Sequence, residues 1–519
     1  MGRMRIAILG DVGQPVYHVG DEAMTHAAVA ELRRRGMEDL LVLSRNPDES
    51  RQAFGTKAAS TLPFPWPPGE RSEYLSRVLR AANGDTSVLP DQDPVWDLIT
   101  VLRGCDALLV AGGGNMNSIY GWLLYERAAA VGIARALGLK VVIAGQTMGP
   151  DLFGPDRETA KDLLRGAELA GAREATSQRL MKEVAGGETP VWACLDDASF
   201  FATGSRESSA SASAAGAVQP SEPFIAATFG PGHGEADHEA YLDAVAAALD
   251  SAAEQTGCTV VFVPHMATPR LSVFDGIPPA GAAADNADAD ELMHQKIAAR
   301  MNSPRKVLLP IQSAERTAAL TSRAALVMTS RYHPVVFALD SAVPVVALAP
   351  ENYSDVRIRG ALTNWGAENL ALTLPSLFDG SFAAATVDAW KNREAITSFL
   401  REAGTLQRQR FAAWWDAVAG SLAGDAQPRE LPGQPAFDFP AGLDTSWQHR
   451  DSAHAKTFLP TASALAGLRV EHEHLRAVLS AAERERDGAR DELQAWKGSR
   501  TFAVAGKVAA VRRLLRGKR

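Results

Sequence analysis

The chain has 519 residues, of which 46% are hydrophobic and 22% charged, so it is too long for one core and too apolar for disorder. Its formal net charge is -8, which argues against nucleic-acid binding over the whole surface. The three cysteines are far apart in sequence, so neither a disulfide framework nor a thiolate zinc site is expected. We find no apolar run of membrane-spanning length and no signal-like start, and we therefore expect a cytoplasmic protein.

Short β-branched runs alternate with alanine- and leucine-rich stretches, a pattern typical of parallel strands buried between helices. In the first half this pattern predicts strands at 5–10, 40–44, 107–111, 140–144 and 191–195. We therefore expect residues 1–203 to form a Rossmann-like domain. The following tract, 204–223, is rich in serine, alanine and glycine and has no aromatic side chain, which indicates a flexible linker.

The strand pattern restarts after this linker, with predicted strands at 224–229, 259–264, 306–311, 325–329 and 343–348. Residues 224–385 are thus expected to form a second Rossmann-like domain, which contains a soft insertion at 278–291. Two doubly wound units in succession place a cleft between the carboxyl ends of their sheets. Ligands of open α/β sheets bind at those ends, so we expect the functional site there.

The C-terminal region differs in composition from both domains. We expect a helical segment over 386–423, an irregular proline-containing connector over 424–460, and a helix over 461–519. Apolar residues recur every seven positions from Leu468 to Trp496, which fits either a short coiled coil joining copies of the chain or a single solvated helix. Residues 497–519 carry eight basic and no acidic side chains beside an apolar stripe. This pattern suits an anionic membrane surface; the alternative is a basic tail that aids solubility.

The first glycine-rich turn leads into His18-Val19-Gly20-Asp21-Glu22 at a helix start. The glycine spacing is not that of a dinucleotide-binding fingerprint, and two carboxylates at this point would repel a pyrophosphate. We therefore expect no nicotinamide cofactor. Asp21 and Glu22 either stabilise the start of the helix or accept hydrogen bonds from a polyhydroxylated ligand.

Two further turns follow predicted strands. Gly112-Gly113-Gly114-Asn115 combines three glycines whose bare amides could approach a ligand or wrap an anion. The turn 145–150 (GQTMGP) also follows a strand. Three strand-end turns in one domain indicate a single rim, with a ligand near Gly112, Gly113 and Gly114.

Arg173 and Arg331 both follow apolar strand-like runs, so each is expected at a strand end rather than on a solvated helix face. A guanidinium there can bind a carboxylate or phosphate in two-point fashion, and His333 can exchange a proton near neutral pH. His265 ends another strand and is either a ligand contact or a buried structural histidine. Asp196-Asp197 more often ends a strand than binds metal, so no metal site is expected.

Taken together, these residues resemble the polysaccharide pyruvyl transferase family. Its landmarks are Asn-x-Gly-Asp-Glu after a glycine-rich start, a glycine run, a Gly-Gln-x-x-Gly-Pro turn, an arginine before a helix and Arg-x-His. Here they correspond, in the same order, to residues 18–22, 112–114, 145–150, Arg173 and 331–333. The chain departs from the family at His18, where asparagine is usual, and in the region after residue 424, which the family core does not need.

The resemblance implies a GT-B-like fold and transfer of an enolpyruvyl unit from phosphoenolpyruvate to sugar hydroxyls, giving a pyruvate ketal in a cell-surface polysaccharide. It makes Arg173, Arg331 and the glycine run candidates for binding phosphoenolpyruvate, and His333 the candidate proton donor or shuttle. Asp21, Glu22, Asn115 and His265 are then candidates for binding the saccharide or lipid-linked acceptor. The resemblance implies no cofactor.

Two alternatives remain at this point. The same arginine and histidine could face the diphosphate of a nucleotide sugar in a GT-B-like glycosyltransferase. The chain could also be a non-catalytic glycan-binding scaffold whose C-terminal helix recruits partners to the inner face of a membrane.

Overall fold

The structure, a computed structural model, describes residues 4–64, 68–202, 223–267, 289–425, 431, 433–498 and 500–516. The expected linker at 204–223, apart from Pro223, lies outside these residues. The expected insertion lies outside them as far as residue 288, and its last residues belong to a helix.

The first lobe is built on a parallel sheet whose strands are apolar runs buried on both faces. Its order is β4-β3-β1-β5-β7-β8-β9, with β6 paired to β7. The strands are β1 (Arg5–Leu9), β3 (Asp39–Ser44), β4 (Lys57–Ser60), β5 (Ala107–Val110), β6 (Gly113–Met116), β7 (Lys140–Met148), β8 (Leu169–Ala172) and β9 (Val191–Ala193); a short β2 (Tyr17–His18) lies outside the sheet. The helices are α1 (Val19–Arg34), α2 (Pro47–Phe54), α3 (Pro68–Ala82), α4 (Val95–Arg103), α5 (Gly121–Ala136), α6 (Gly154–Arg165) and α7 (Ala175–Ala185).

The second lobe repeats this architecture with a parallel sheet of order β13-β11-β10-β14-β15-β16. Its strands are β10 (Phe224–Thr228), β11 (Thr259–Phe262), β13 (Lys306–Leu308), β14 (Leu326–Thr329), β15 (Val345–Ala349) and β16 (Ala371–Thr373), with β12 (Met266–Ala267) outside the sheet. Its helices are α8 (His238–Thr256), α9 (Ala289–Arg300), α10 (Ala314–Thr321), α11 (Tyr332–Asp340), α12 (Asn352–Asn364), α13 (Pro375–Phe378) and α14 (Ser381–Lys391), with a 3-10 turn at Glu368–Leu370. The predicted α/β class with two Rossmann-like lobes is confirmed.

The two lobes contact each other through backbone and core. β2 pairs antiparallel with β12, and the amide of Val19 donates to the carbonyl of His265 at 3.0 Å. A cluster of buried apolar side chains also spans both lobes and includes Met24 and Phe337. These contacts fix the edge of the cleft at which α1 begins.

The C-terminal helices pack on both lobes. α15 (Arg393–Ala423) returns to the first lobe, where Trp414 is fully buried against Gly171 and Arg35 pairs with Asp416 at 2.8 Å. α16 (Thr445–Gly498) begins on the second lobe and reaches α3, where Arg484 pairs with Glu70 at 3.1 Å. α17 (Arg500–Arg516) follows it. In the described part of the chain no helix is both long and apolar enough to cross a bilayer.

The irregular connector expected over 424–460 is too long, because α16 already begins at Thr445 and contains Pro460. Tertiary contacts outweigh the local signal at its start. The Trp447 indole is buried and donates to Asp388 at 3.0 Å, and Asp451 accepts hydrogen bonds from Thr373 and Ser376.

Candidate active site

The strand order reverses between β1 and β5 in the first lobe and between β10 and β14 in the second, and ligands of α/β sheets bind at such points. The loops after these four strands face one another across a cleft of about 440 Å³. The first lobe contributes Asp11, Gln14, His18, Asp21, Gly114, Asn115 and Arg173, and the second contributes His265, Arg331, Tyr332, His333, Tyr353 and Arg357. Most of the predicted site residues therefore meet in one place.

The wall of the first lobe is rich in hydrogen-bond acceptors. Asp21 pairs with the imidazole of His18 at 3.2 Å; burial acts to raise the pKa of Asp21, but this contact and nearby cations hold it below its ordinary value. The amide of Asn115 donates to Asp11 at 3.2 Å, while its oxygen is buried and has no partner among the described residues. Carboxylate and amide oxygens of this kind suit sugar hydroxyls.

The expectation that Gly112, Gly113 and Gly114 together offer bare amides is wrong for the first two. The amide of Gly112 donates to the buried carboxylate of Asp197 at 2.7 Å, and Gly113 lies within β6 against β7. Asp197 also accepts from the amide of Gly145 at 3.2 Å, so it ties two turns together beneath the cleft. Only Gly114 of the three lines the cleft.

Glu22 is not placed to bind an acceptor. Its carboxyl group is buried outside the cleft lining and accepts a hydrogen bond from the Gly13 amide at 3.4 Å. Burial, aided by Glu49, raises its pKa to about 8. Glu22 follows Asp21 directly in α1. Because consecutive side chains of a helix point in different directions, the two carboxyl groups lie in different surroundings.

Arg173 reaches the cleft from the end of β8 but is 1% exposed. Its guanidinium pairs with Asp196 at 2.5 Å and Glu174 at 3.1 Å, and it lies 4.3 Å from the ring centre of Tyr332 in the other lobe. Two carboxylates therefore balance its charge within the protein.

Arg331 forms the residue before α11 and is held by Asp290, whose carboxylate accepts from its Nε at 3.2 Å and from its terminal nitrogen. Asp290 is itself fixed by the amides of His265 and Met266, each at 3.0 Å. Burial acts to raise the pKa of Asp290, but Arg331 and His294 keep it low. The sequence placed Asp290 in a soft insertion, whereas the structure places it in α9 as the partner of Arg331.

His333 lies in the first turn of α11 and projects against the first lobe. Its Nε2 is 3.9 Å from Asp196, and a Cβ atom at Gly20 would lie 1.8 Å from its Nδ1, so only glycine fits there. Burial lowers its pKa to about 4, although Asp196 and Asp21 act to raise it. The imidazole is therefore neutral at physiological pH before a ligand binds.

His265 lines the cleft with only a small exposed fraction. Its Nδ1 lies 3.2 Å from the carbonyl of Val263, its ring packs 6.0 Å from Phe337, and burial lowers its pKa to about 3. These contacts fit a neutral histidine that supports the cleft wall, with Nε2 buried and unpartnered among the described residues.

Sequence reasoning missed Arg357, which lies in α12 and lines the cleft. Its guanidinium stacks 3.9 Å from the ring centre of Tyr353 and 5.7 Å from that of Tyr332. Within the described residues it has no carboxylate at ion-pair distance, and its Nε is buried without a hydrogen-bond partner. It thus differs from Arg173 and Arg331, whose charges are already balanced.

Comparison with known families adds the decisive observation. The model of the family described as polysaccharide pyruvyl transferase matches residues 18–352, more than half of the chain. The chain belongs to this family. The matched region contains both walls of the cleft except Asp11, Gln14, Tyr353, Ser354 and Arg357, and it makes the protein a transferase of the pyruvyl transferase type. None of the curated protein sequences matches the chain.

Solved structures similar to this pyruvyl transferase family member share its fold at low identity. A putative UDP-N-acetylglucosamine 2-epimerase from Listeria monocytogenes is 12% identical with a TM-score of 0.52, and the match covers 83% of this chain and 100% of that one. MnaA of S. aureus, solved with UDP, is 11% identical with a TM-score of 0.50 over 83% and 100% of the two chains. These similarities confirm the GT-B-like architecture of the two lobes.

Proposed function

We propose that the protein transfers the enolpyruvyl group of phosphoenolpyruvate to two hydroxyls of a saccharide acceptor, forming a pyruvate ketal and releasing phosphate. The observation that carries this proposal is the convergence of Arg331, His333 and Arg357 on one wall of the cleft. They lie opposite the hydrogen-bond acceptors of the first lobe. The family membership supports pyruvyl transfer; the donor and acceptor are our inference.

Phosphoenolpyruvate carries a carboxylate and a phosphate on adjacent atoms, and a half-buried site must compensate both charges. Arg357 is suited to the first contact because its charge has no carboxylate partner among the described residues. Arg331 retains an exposed fraction of 29% beside Asp290, which orients its planar group toward the cleft. Arg173 stacks on the ring of Tyr332. Because Asp196 and Glu174 already balance its charge, we do not assign it to the anion.

The reaction requires protonation of the methylene carbon, which makes the neighbouring carbon electrophilic. One sugar hydroxyl adds to that carbon, and a second hydroxyl then replaces phosphate. Of the two hydroxyl protons, one balances the proton taken by the new methyl group and the other leaves with phosphate. We assign His333 to the transfer of the proton to the methylene carbon. Binding a dianion beside its imidazole favours the imidazolium, which burial disfavours in the free protein.

The acceptor is proposed to lie on the first lobe, with its hydroxyls directed to Asp21 and Asn115, both of which line the cleft. Trp122 and Tyr120 extend this wall; their rings lie 5.8 Å apart and line the same cleft. An apolar aromatic face next to hydroxyl-binding oxygens matches the two sides of a sugar ring.

The test supplies the purified protein with phosphoenolpyruvate or nucleotide sugars together with glycan acceptors. The proposal expects phosphate release that depends on both phosphoenolpyruvate and the acceptor, and a pyruvate ketal in the product by mass spectrometry. Release of a nucleoside diphosphate instead would assign the cleft to glycosyl transfer. Binding of glycan without turnover would favour the scaffold.

We also propose that α17 rests on an anionic membrane surface, which would bring a lipid-linked acceptor near the cleft. Its exposed Val504, Val508, Val511 and Leu515 recur at spacings of four, three and four, which place them on one helical face. Lys507 and Arg512 flank this face. Flotation with vesicles containing phosphatidylglycerol should be lost in a protein truncated after residue 496 and retained with the full chain; equal flotation of both, or of neither, would contradict the proposal.

A further inference from the structure

The carboxylate pair Asp196-Asp197 follows β9 and has no role in the reaction as proposed so far. Both side chains are buried, at 4% and 0% exposure, directly beneath the cleft. Asp197 is occupied by the amides of Gly112 and Gly145. Asp196 differs because it belongs to the first lobe but approaches the imidazole of His333 in the second lobe.

The two oxygens of Asp196 have different surroundings. One lies 2.5 Å from the guanidinium of Arg173. The other accepts from the amide of Ala198 at 2.8 Å and lies 3.9 Å from Nε2 of His333. The last distance exceeds a hydrogen bond, but hydrogen bonds of catalytic groups are often long in free enzymes and shorten on binding substrate.

The surroundings of His333 leave its two nitrogens unequal. Nε2 is shut off from solvent and has no hydrogen-bond partner among the described residues, whereas the side chain as a whole retains 16% exposure. The ring nitrogen left to meet a ligand is therefore Nδ1, on the side of Gly20, which lines the cleft. An acceptor next to Nε2 selects the tautomer that carries its proton there.

We propose that Asp196 is a positioning residue: it holds the proton of neutral His333 on Nε2 and stabilises the imidazolium, so that Nδ1 exchanges the proton with the substrate. This inference rests on the proposed function for the identity of that substrate. Because Asp196 and His333 belong to different lobes, the effect depends on the lobes keeping their relative position.

Other charged groups near His333 also affect the pKa of its imidazole. Asp21 from α1 acts in the same direction as Asp196, whereas Arg173 and Arg357 oppose it, as does His265 if it is protonated. Of these groups, Asp196 is the one at ion-pair distance from the imidazole. Its removal should therefore change the behaviour of His333 most.

The first experiment is nitrogen-15 NMR of the histidine side chains in the free protein at neutral pH, with the His333 signal identified from its loss in His333→Gln. We expect the Nε2-protonated tautomer in the wild type and a shift toward the Nδ1-protonated tautomer in Asp196→Asn. The same tautomer in both proteins would overturn the inference. This readout does not require activity, so it stands apart from the proposed transfer, which fails if no variant or wild type releases phosphate.

The second experiment is the pH profile of kcat. Loss of the carboxylate disfavours the imidazolium, so the alkaline limb should move to lower pH by about one unit or more in Asp196→Asn. A raised KM for phosphoenolpyruvate with an unmoved limb would show that Asp196 acts through Arg173 alone and would contradict the inference. If Asp196→Asn does not fold, Asp196→Ser keeps an acceptor for the Ala198 amide and lacks the charge.

The matched control is Asp340→Asn, which alters a buried carboxylate of the same helix as His333 but one that accepts from Ala202 and Ser341. Its tautomer signal and alkaline limb should equal those of the wild type. A shift of the same size in this control would mean that any buried charge in the region sets the profile, and would also overturn the inference.

Discussion

The two walls of the cleft differ in how their charges are balanced. On the first lobe, Arg173 is fully buried between Asp196 and Glu174, and the other polar groups that face the cleft include carboxylates, amides and the imidazole of His18. On the second lobe, Arg357 stacks on Tyr353 without a carboxylate partner among the described residues. Arg357 is therefore the cation most available to a ligand, and Arg331, although paired with Asp290, keeps an exposed fraction of 29% beside it. We assign the anionic donor to this second wall and the hydroxylated acceptor to the first.

Removing the unbalanced cation should give the largest effect. Arg357→Ala is expected to lower kcat/KM for phosphoenolpyruvate by about 10²–10³, the usual cost of losing a preorganised group that stabilises developing charge. Steady-state phosphate release measures it. The matched control is Arg359→Ala on the same helix, whose guanidinium already pairs with Asp355 at 2.8 Å. Equal losses in both variants would show that α12 contributes through stability instead.

The protein should take up a proton when phosphoenolpyruvate binds, and measuring this uptake sharpens the comparison of the two walls. His333 has a pKa of about 4 in the free protein, so it is neutral at pH 7, and a bound dianion raises that pKa. Binding of phosphoenolpyruvate at pH 7 should therefore take up a proton, and affinity should fall as pH rises toward the pKa of the complex, by up to about tenfold per unit. Calorimetry in buffers of different ionisation enthalpy measures the uptake. The same uptake by His333→Gln would contradict the assignment.

Asp21 and Glu22 test the first wall, since they are adjacent in sequence but face different surroundings. Asp21→Asn should raise KM for the glycan acceptor roughly tenfold, the value of a hydrogen bond to a charged group, and should raise KM for phosphoenolpyruvate by less. Glu22→Gln should change neither constant, because Glu22 lies outside the cleft. A larger effect from Glu22→Gln than from Asp21→Asn would reverse the assignment of the two carboxylates.

The last expected effect is on stability and concerns a carboxyl group outside the cleft. Glu22 has a pKa raised from 4.5 to about 8 by burial, so its contribution is intact below pH 4.5 and is lost progressively as pH rises to about 8. Glu22→Gln removes the ionisable group and should raise Tm relative to the wild type by an amount that grows over this range. Differential scanning calorimetry measures it, and a difference in Tm that does not depend on pH would contradict the role of burial.

The sequence was sufficient for the lobes and for the landmarks, because alternating strands and helices and strand-end residues obey local rules. Arg331 and His333 could be expected at the rim since they directly follow a buried strand. Arg357 could not, because an arginine inside a helix next to Arg359 carries no local signal of which one turns inward. The pairing of Gly112 with Asp197, 85 residues away, likewise depends on how two loops meet in space.

Asp290 shows a second kind of limit. Its neighbours in sequence are small and polar, which favoured an insertion without structure, yet its carboxylate collects two backbone amides and Arg331. Buried charges are stable only where such partners converge, and convergence is a property of the fold. The partner of a predicted cation is therefore the feature that sequence patterns reveal least.

The assignment of the two walls is tested most directly by a crystal structure of the protein with phosphoenolpyruvate bound. We expect its carboxylate and phosphate within hydrogen-bond distance of Arg331 and Arg357, and its methylene carbon facing His333. Phosphoenolpyruvate bound to the first wall at Asp21 and Asn115, with Arg357 still stacked on Tyr353 and touching no ligand atom, would contradict the account.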